Sequence, residues 1–210
     1  MSNVKIGSIA FLALVLGVVL AITISPPNNE PKYINMYPQA RALPAFSLLD
    51  HQGQAFELSQ MQAHWTLIFV GYTFCPDICP TTLAELKGIY PQLQEIDSTH
   101  PIQVVLLSVD PKRDTTARLN EYIQFFHEDF IAVSGGHDQL FPLVRAMGMM
   151  YSIAQSTENP NYLVDHSSSV VLINPQAQVI GRFKPEFSPG KLPVSDGQKI
   201  LFDLPALVAR

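Results

Sequence analysis

Three patterns of hydrophobic and polar positions follow one another along the chain. The first is IGSIAFLALVLGVVLAITI, Ile6 to Ile24, nineteen residues without a charge. A run of that length approaches the ~20 apolar residues that a bilayer-spanning helix needs and exceeds the ~7–15 of a signal-peptide core. The AITISPP that follows offers no small-residue cleavage pattern, which predicts an uncleaved transmembrane anchor over 6–24 behind a short tail at 1–5. Lys5 precedes the run and Glu30 is the first charge after it, so the tail is expected in the cytoplasm and the rest of the chain across the membrane. The second pattern, 25–44, has prolines at 26, 27, 31, 38 and 44 and predicts an extended linker.

From residue 45 the chain alternates between strand and helix periods. AFSLLDHQGQAF predicts a hairpin turning at His51-Gln52-Gly53. WTLIFVGY (65–72) and QVVLLSVD (103–110) are long apolar runs, as strands buried on both faces require. Leu83, Leu86, Ile89 and Leu93 share one helical face from about Pro80, with Pro91 expected to kink or split the helix. TARLNEYIQFF and QLFPLVRAMGM predict two more helices, the second with Pro142 in its first turn, and FIAVSG a short strand between them. SVVLINP and QVIGRFK predict a hairpin, and KILFDLPALVA a closing helix that Pro205 limits in length. The expected class is therefore α/β: a thioredoxin-like mixed sheet flanked by helices over 45–210, with an N-terminal transmembrane helix.

Charge and cysteine count narrow the function. A formal net charge of -5 with no Lys/Arg cluster argues against nucleic acid as a partner. Two cysteines cannot make a disulfide-dense scaffold, so the domain must stand on its own core.

Both cysteines lie in GYTFCPDICPTTLAEL, at a strand-to-helix junction. Pro80 suits the first helical position, which places Cys75 and Cys79 near a helix N-terminus, where partial positive charge favours thiolate. Thioredoxin-type redox pairs use C-x-x-C, whereas here three residues separate the sulfurs. The wider loop leaves room for an ion and does not forbid a disulfide. A metal clamp, a redox pair and two buried free thiols all remain open, the spacing tilting toward metal. Of six histidines, His166 in YLVDHSSSVVLINP stands ahead of a strong strand, where a thioredoxin-like sheet brings its loop against the cysteine turn. Position alone leaves it open as a ligand or a surface histidine. Two thiolates and one imidazole suit copper: thiolate selects Cu(I), and imidazole suits either oxidation state. A structural zinc would want a fourth ligand.

GYTFCPDICPTTLAEL, LLSVDPKRDTTARLNEY and YLVDHSSSVVLINPQAQVIGRF, in that order, resemble the Sco/SenC family of thioredoxin-like copper chaperones. The resemblance covers most of 44–185. It implies copper binding by Cys75, Cys79 and His166, and delivery to the CuA site of cytochrome c oxidase subunit II. It also implies a copper donor, which the sequence does not identify, and a domain on the periplasmic or intermembrane-space side. A short tail without a transit peptide makes a single-pass protein of a bacterial inner membrane, with its domain in the periplasm, the expectation. The expected role is a metallochaperone, not a turnover enzyme. The alternative is a thiol–disulfide oxidoreductase that keeps the oxidase cysteines reduced by cycling Cys75 and Cys79. A peroxidase would need an arginine over one reactive cysteine, and no candidate stands out in the sequence. Asp77 and Asp165, beside ligands in sequence, and Asp110, at a strand end on the cysteine edge, are candidates to orient ligands. Met147 and Met150 stand at helical spacing and are expected in the core.

Overall fold

The structure is a computed structural model that describes residues 11–17 and 30–209. The chain divides into two units between Glu30 and Pro31. In the first, residues 11–17 are helical (α1) and exposed. Among the described residues no helix is long and apolar enough to cross a membrane. The seven residues of α1 rise roughly 10 Å, against about 30 Å of bilayer hydrocarbon. This corrects the expected transmembrane helix. It also removes the basis for a membrane-anchored metallochaperone and for single-pass placement in an inner membrane. The rest of the expected anchor, 6–10 and 18–24, and the tail at 1–5 lie outside the described residues.

The second unit runs in the order β1 (Asn35–Ala42), β2 (Leu48–Asp50), β3 (Ala55–Phe56), α2 (Leu58–Met61), β4 (Trp65–Gly71), α3 (Ile78–Gln94) and β5 (Ile102–Ser108). It continues through α4 (Thr116–Phe126), β6 (Ile131–Ser134), α5 (His137–Ala146), β7 (Tyr151–Ser152), β8 (Asp165–His166), β9 (Val170–Ile173), β10 (Gln178–Phe183) and α6 (Gly197–Val208). Eight strands form one mixed sheet in the order β1-β10-β9-β4-β5-β6-β2-β3, and β7 and β8 pair apart from it. β4, β5 and β6 are parallel, joined by the helices α3 and α4, as parallel neighbours require. The apolar runs of β4 and β5 are fully buried because both faces are covered. Leu67, Phe69, Val104 and Leu106 pack with Leu83, Ile123 and Leu204 from α3, α4 and α6. Ile68, Val70, Val105 and Leu107 pack with Leu140, Leu143 and Val144 of α5. The arrangement is the thioredoxin-like mixed α/β fold.

Several local expectations change. β1 lies inside the expected linker: it pairs antiparallel with β10. Gly181 permits the approach, since a Cβ there would stand 2.9 Å from the Asn35 carbonyl oxygen. The chain just ahead of β1 is held by Asp203 of α6, whose buried carboxylate accepts from the backbone N–H groups of Lys32, Tyr33 and Ile34 at 2.7, 2.6 and 2.6 Å. Prolines interrupt less than expected. α3 runs on past Pro91, and α5 begins at His137, which moves Pro142 out of its first turn. α6 continues past Pro205. Met147 is buried, but Met150 is 75% exposed, because α5 ends at Ala146 and its helical spacing does not reach that far.

Candidate metal centre

β4 ends at Gly71, and the chain turns at once, with the Cys75 N–H donating to the Tyr72 carbonyl at 3.2 Å. Asp77 is the N-cap of α3, so Cys79 and Pro80 are its second and third residues and their N–H positions need no intrahelical partner. The turn leaves Cys75 half-buried and Cys79 buried. β8 brings in His166 by pairing with Tyr151 of β7. The sulfurs of Cys75 and Cys79 and a ring nitrogen of His166 all lie within 4.8 Å of one another.

The imidazole is oriented for coordination. Its Nδ1 lies 3.2 Å from the Ser167 carbonyl oxygen, which can only accept, so the proton belongs on Nδ1. Nε2 then keeps its lone pair, 3.5 Å from the Cys79 sulfur. The ring meets Tyr72 edge to face at 5.8 Å. The Tyr72 hydroxyl accepts from the Val164 N–H at 3.2 Å, tying the approach to β8 to the end of β4.

The two thiols are unequal. The hydrogen bond from the Cys79 thiol holds Cys75 far below the usual thiol range, against the opposing effect of burial, with the backbone N–H groups of Cys79 and Asp77 helping. That bond, burial and the neighbouring Cys75 thiolate push Cys79 up. The pair therefore shares one proton at neutral pH, held between the two sulfurs. Copper uptake is expected to release one thiol proton, not two, so affinity rises about tenfold per pH unit between pH 7 and 8. Calorimetric titration in buffers of different ionisation enthalpy measures that number; release of two protons would show that Cys75 is not a preformed thiolate.

The aspartates expected to orient ligands differ in placement. Asp77 makes no side-chain cap bond, and Asp165 is exposed in β8. Asp110 is buried and accepts from the Tyr162 hydroxyl and from Arg113 Nε, the latter at 2.5 Å. Asp114, which the sequence reading passes over, holds the cysteine loop more directly. Its carboxylate accepts from the Thr73 N–H and hydroxyl, at 2.9 and 2.7 Å, and from the Ser108 hydroxyl at 2.6 Å. Arginines also approach the loop: Arg113 lies 4.6 Å from the Phe74 ring, and Arg118 Nε donates to Thr73 Oγ1 at 3.2 Å. The one signal for these residues is their crowding into SVDPKRDTTAR beside Asp110.

A family model described as SCO1/SenC matches residues 34–194. The mitochondrial SCO2 homolog of Bos taurus is 36% identical over 130 residues, 62% of this chain and 49% of that protein, so the chain spans about half of that relative. Copper-bound ScoI of Arabidopsis thaliana superposes with a TM-score of 0.64 at 26% identity, covering 78% of this chain and 95% of that one. Apo Sco1 of Thermus thermophilus superposes with a TM-score of 0.67 at 30% identity, covering 84% and 96%.

Proposed function

The chain belongs to the SCO1/SenC family, and on that premise we propose that it binds one copper ion through Cys75, Cys79 and His166 and passes it on by ligand exchange. The observation that carries this reading is the convergence of two sulfurs and one imidazole nitrogen within 4.8 Å. Thiolates favour soft or borderline ions, Cu(I) and zinc among them, and the imidazole suits copper in either oxidation state. Three donors suffice for trigonal Cu(I), whereas a closed structural zinc site would want a fourth protein ligand. They also leave an approach open, so an incoming ligand can join the copper before a resident one leaves. Copper is then cargo, and the chain is a metallochaperone. The structural likeness to a ScoI crystallised with copper supports that metal. The recipient that fits the family resemblance is the copper domain of cytochrome c oxidase subunit II.

A second reading has its own support. Cys75 is a half-exposed thiolate with Cys79 buried behind it, the arrangement that lets one thiol attack a disulfide and the other resolve it. The chain would then reduce the recipient's cysteines.

The full chain, reduced and anaerobic, is given one equivalent of Cu(II) beside a His166→Ala variant. Thiolate-to-copper charge-transfer bands at one copper per chain are expected, with nitrogen coupling in the EPR spectrum that the variant lacks. If copper merely oxidises the thiols and the two proteins behave alike, the copper site fails and the redox reading takes its place.

A further inference from the structure

We propose that Arg113 is the positioning residue that docks the His166-bearing arm against the cysteine loop; the proposal rests on the copper reading above. The arm, residues 153–164 between β7 and β8, contains no strand or helix. Turns within the arm shape it locally, but its position against the rest of the domain depends on the contacts it makes with residues outside it.

Arg113, in the turn after β5, holds it from three directions. Its Nη1 donates to the Pro160 carbonyl at 3.0 Å. Its guanidinium lies 3.5 Å from the centre of the Tyr162 ring. Its Nε is bonded to Asp110, and Tyr162 donates its hydroxyl to the other oxygen of that carboxylate. Arg113, Asp110 and Tyr162 thus form a closed triangle with one corner on the arm. The same guanidinium is 4.6 Å from the ring of Phe74, the residue before Cys75. One side chain therefore touches both the arm that carries the imidazole ligand and the loop that carries the thiolates.

The environment makes these contacts count. The Arg113 side chain is 12% exposed and that of Asp110 is 1% exposed, so they meet largely out of water. The neighbouring Lys112 reaches Thr157 and Glu158 of the same arm, but in solvent, where ion pairs contribute little. A planar, forked cation is required, because the contacts are a stack and divergent hydrogen bonds; an ammonium can supply the charge but not the plane.

Copper sees the arm through the fraction of molecules in which His166 is in place, since apparent affinity scales with that fraction. An arm docked about a tenth of the time would lower copper affinity about tenfold. Cu(I) affinity is measured on the full chain by competition with a chromophoric Cu(I) chelator, for wild type, Arg113→Ala, Arg113→Lys, His166→Ala and the Arg113→Ala/His166→Ala double variant. Arg113→Ala is expected to bind about tenfold more weakly and to lose nitrogen coupling in the Cu(II) EPR spectrum. Arg113→Lys keeps a cation beside Asp110, which protects the fold, and is expected to show a comparable loss. In the His166→Ala background, Arg113→Ala should cost nothing further, because a residue acting through His166 has nothing left to position. A general structural role would instead lower affinity again in the double variant, and that overturns the proposal. So does wild-type affinity in both Arg113 variants alongside weakened binding in His166→Ala, a result that leaves the copper reading standing. If His166→Ala itself binds like wild type, the copper reading falls and the positioning role falls with it.

Discussion

Gly71→Ala is expected to lower copper affinity about a hundredfold while the protein still folds. Gly71 is the last residue of β4, and a Cβ built there would stand 2.6 Å from the Cys79 sulfur, 3.1 Å from Leu106 Cδ1 and 3.3 Å from Phe69 Cε2. The two carbon contacts relax with shifts of a few tenths of an ångström, but the sulfur must retreat by about 1 Å to reach ordinary van der Waals distance. Cys79 is fully buried in the first turn of α3, so the sulfur yields only by turning out of the space it shares with Cys75 and His166. A metal site tolerates errors of only about 0.2 Å in donor distance. The backbone does not object, because among the described residues the positive-φ glycines are Gly53, Gly148 and Gly190, not Gly71. The effect is therefore overpacking, with a stability cost of about 1–3 kcal/mol. Competition for Cu(I) beside a thermal melt separates the two effects: wild-type affinity in a folded Gly71→Ala protein would remove Cys79 from the donor set.

Legibility of the fold and the site followed the range of the interactions. β4 and β5 can be read from their apolar runs, and α4 from its period, because the pattern that buries them is local in sequence. β1 cannot. Its residues are mostly exposed, it contains Pro38, and it forms an edge of the sheet, so its only evidence is a partner some 140 residues away. The transmembrane expectation shows the opposite failing: an apolar run sets a possible length, whereas only seven of its residues are described as helix. At the site, Cys75, Cys79 and His166 stand out because few residue types bind soft metals. Their supports do not. Thr73 meets Asp114, Tyr162 meets Asp110 and Arg113 meets Pro160 only after the sheet has brought distant segments together, and each is an ordinary residue type. Gly71 matters through an empty volume, which no pattern of residue types displays.

Asp114→Ala is expected to destabilise the protein by about 3 kcal/mol, whereas Asp114→Asn should cost little. Alanine leaves the Thr73 N–H and the Ser108 hydroxyl, both buried, without the acceptor they have in the carboxylate, and each such loss costs about 1–3 kcal/mol. Melting should fall by roughly 6–12 °C for a domain of this size. Copper binding should weaken too, because Thr73 is two residues from Cys75 and its backbone is what Asp114 holds. Asparagine keeps one oxygen for the Thr73 N–H and offers an amide donor to the hydroxyl oxygens. It also removes a cost. Burial pushes the Asp114 carboxyl up in spite of its three hydrogen bonds, so the folded protein holds that proton more tightly than the unfolded chain does. The stability this contributes is complete below the unfolded carboxylate range and fades as pH rises through the folded value. Asparagine does not titrate, so its stability relative to wild type should be lower in acid and should improve as pH rises past the folded value. Thermal melts of both variants between pH 4 and pH 8 test this, and equal losses for alanine and asparagine at pH 7 would show that the negative charge itself, rather than the hydrogen bonds, holds the cysteine loop.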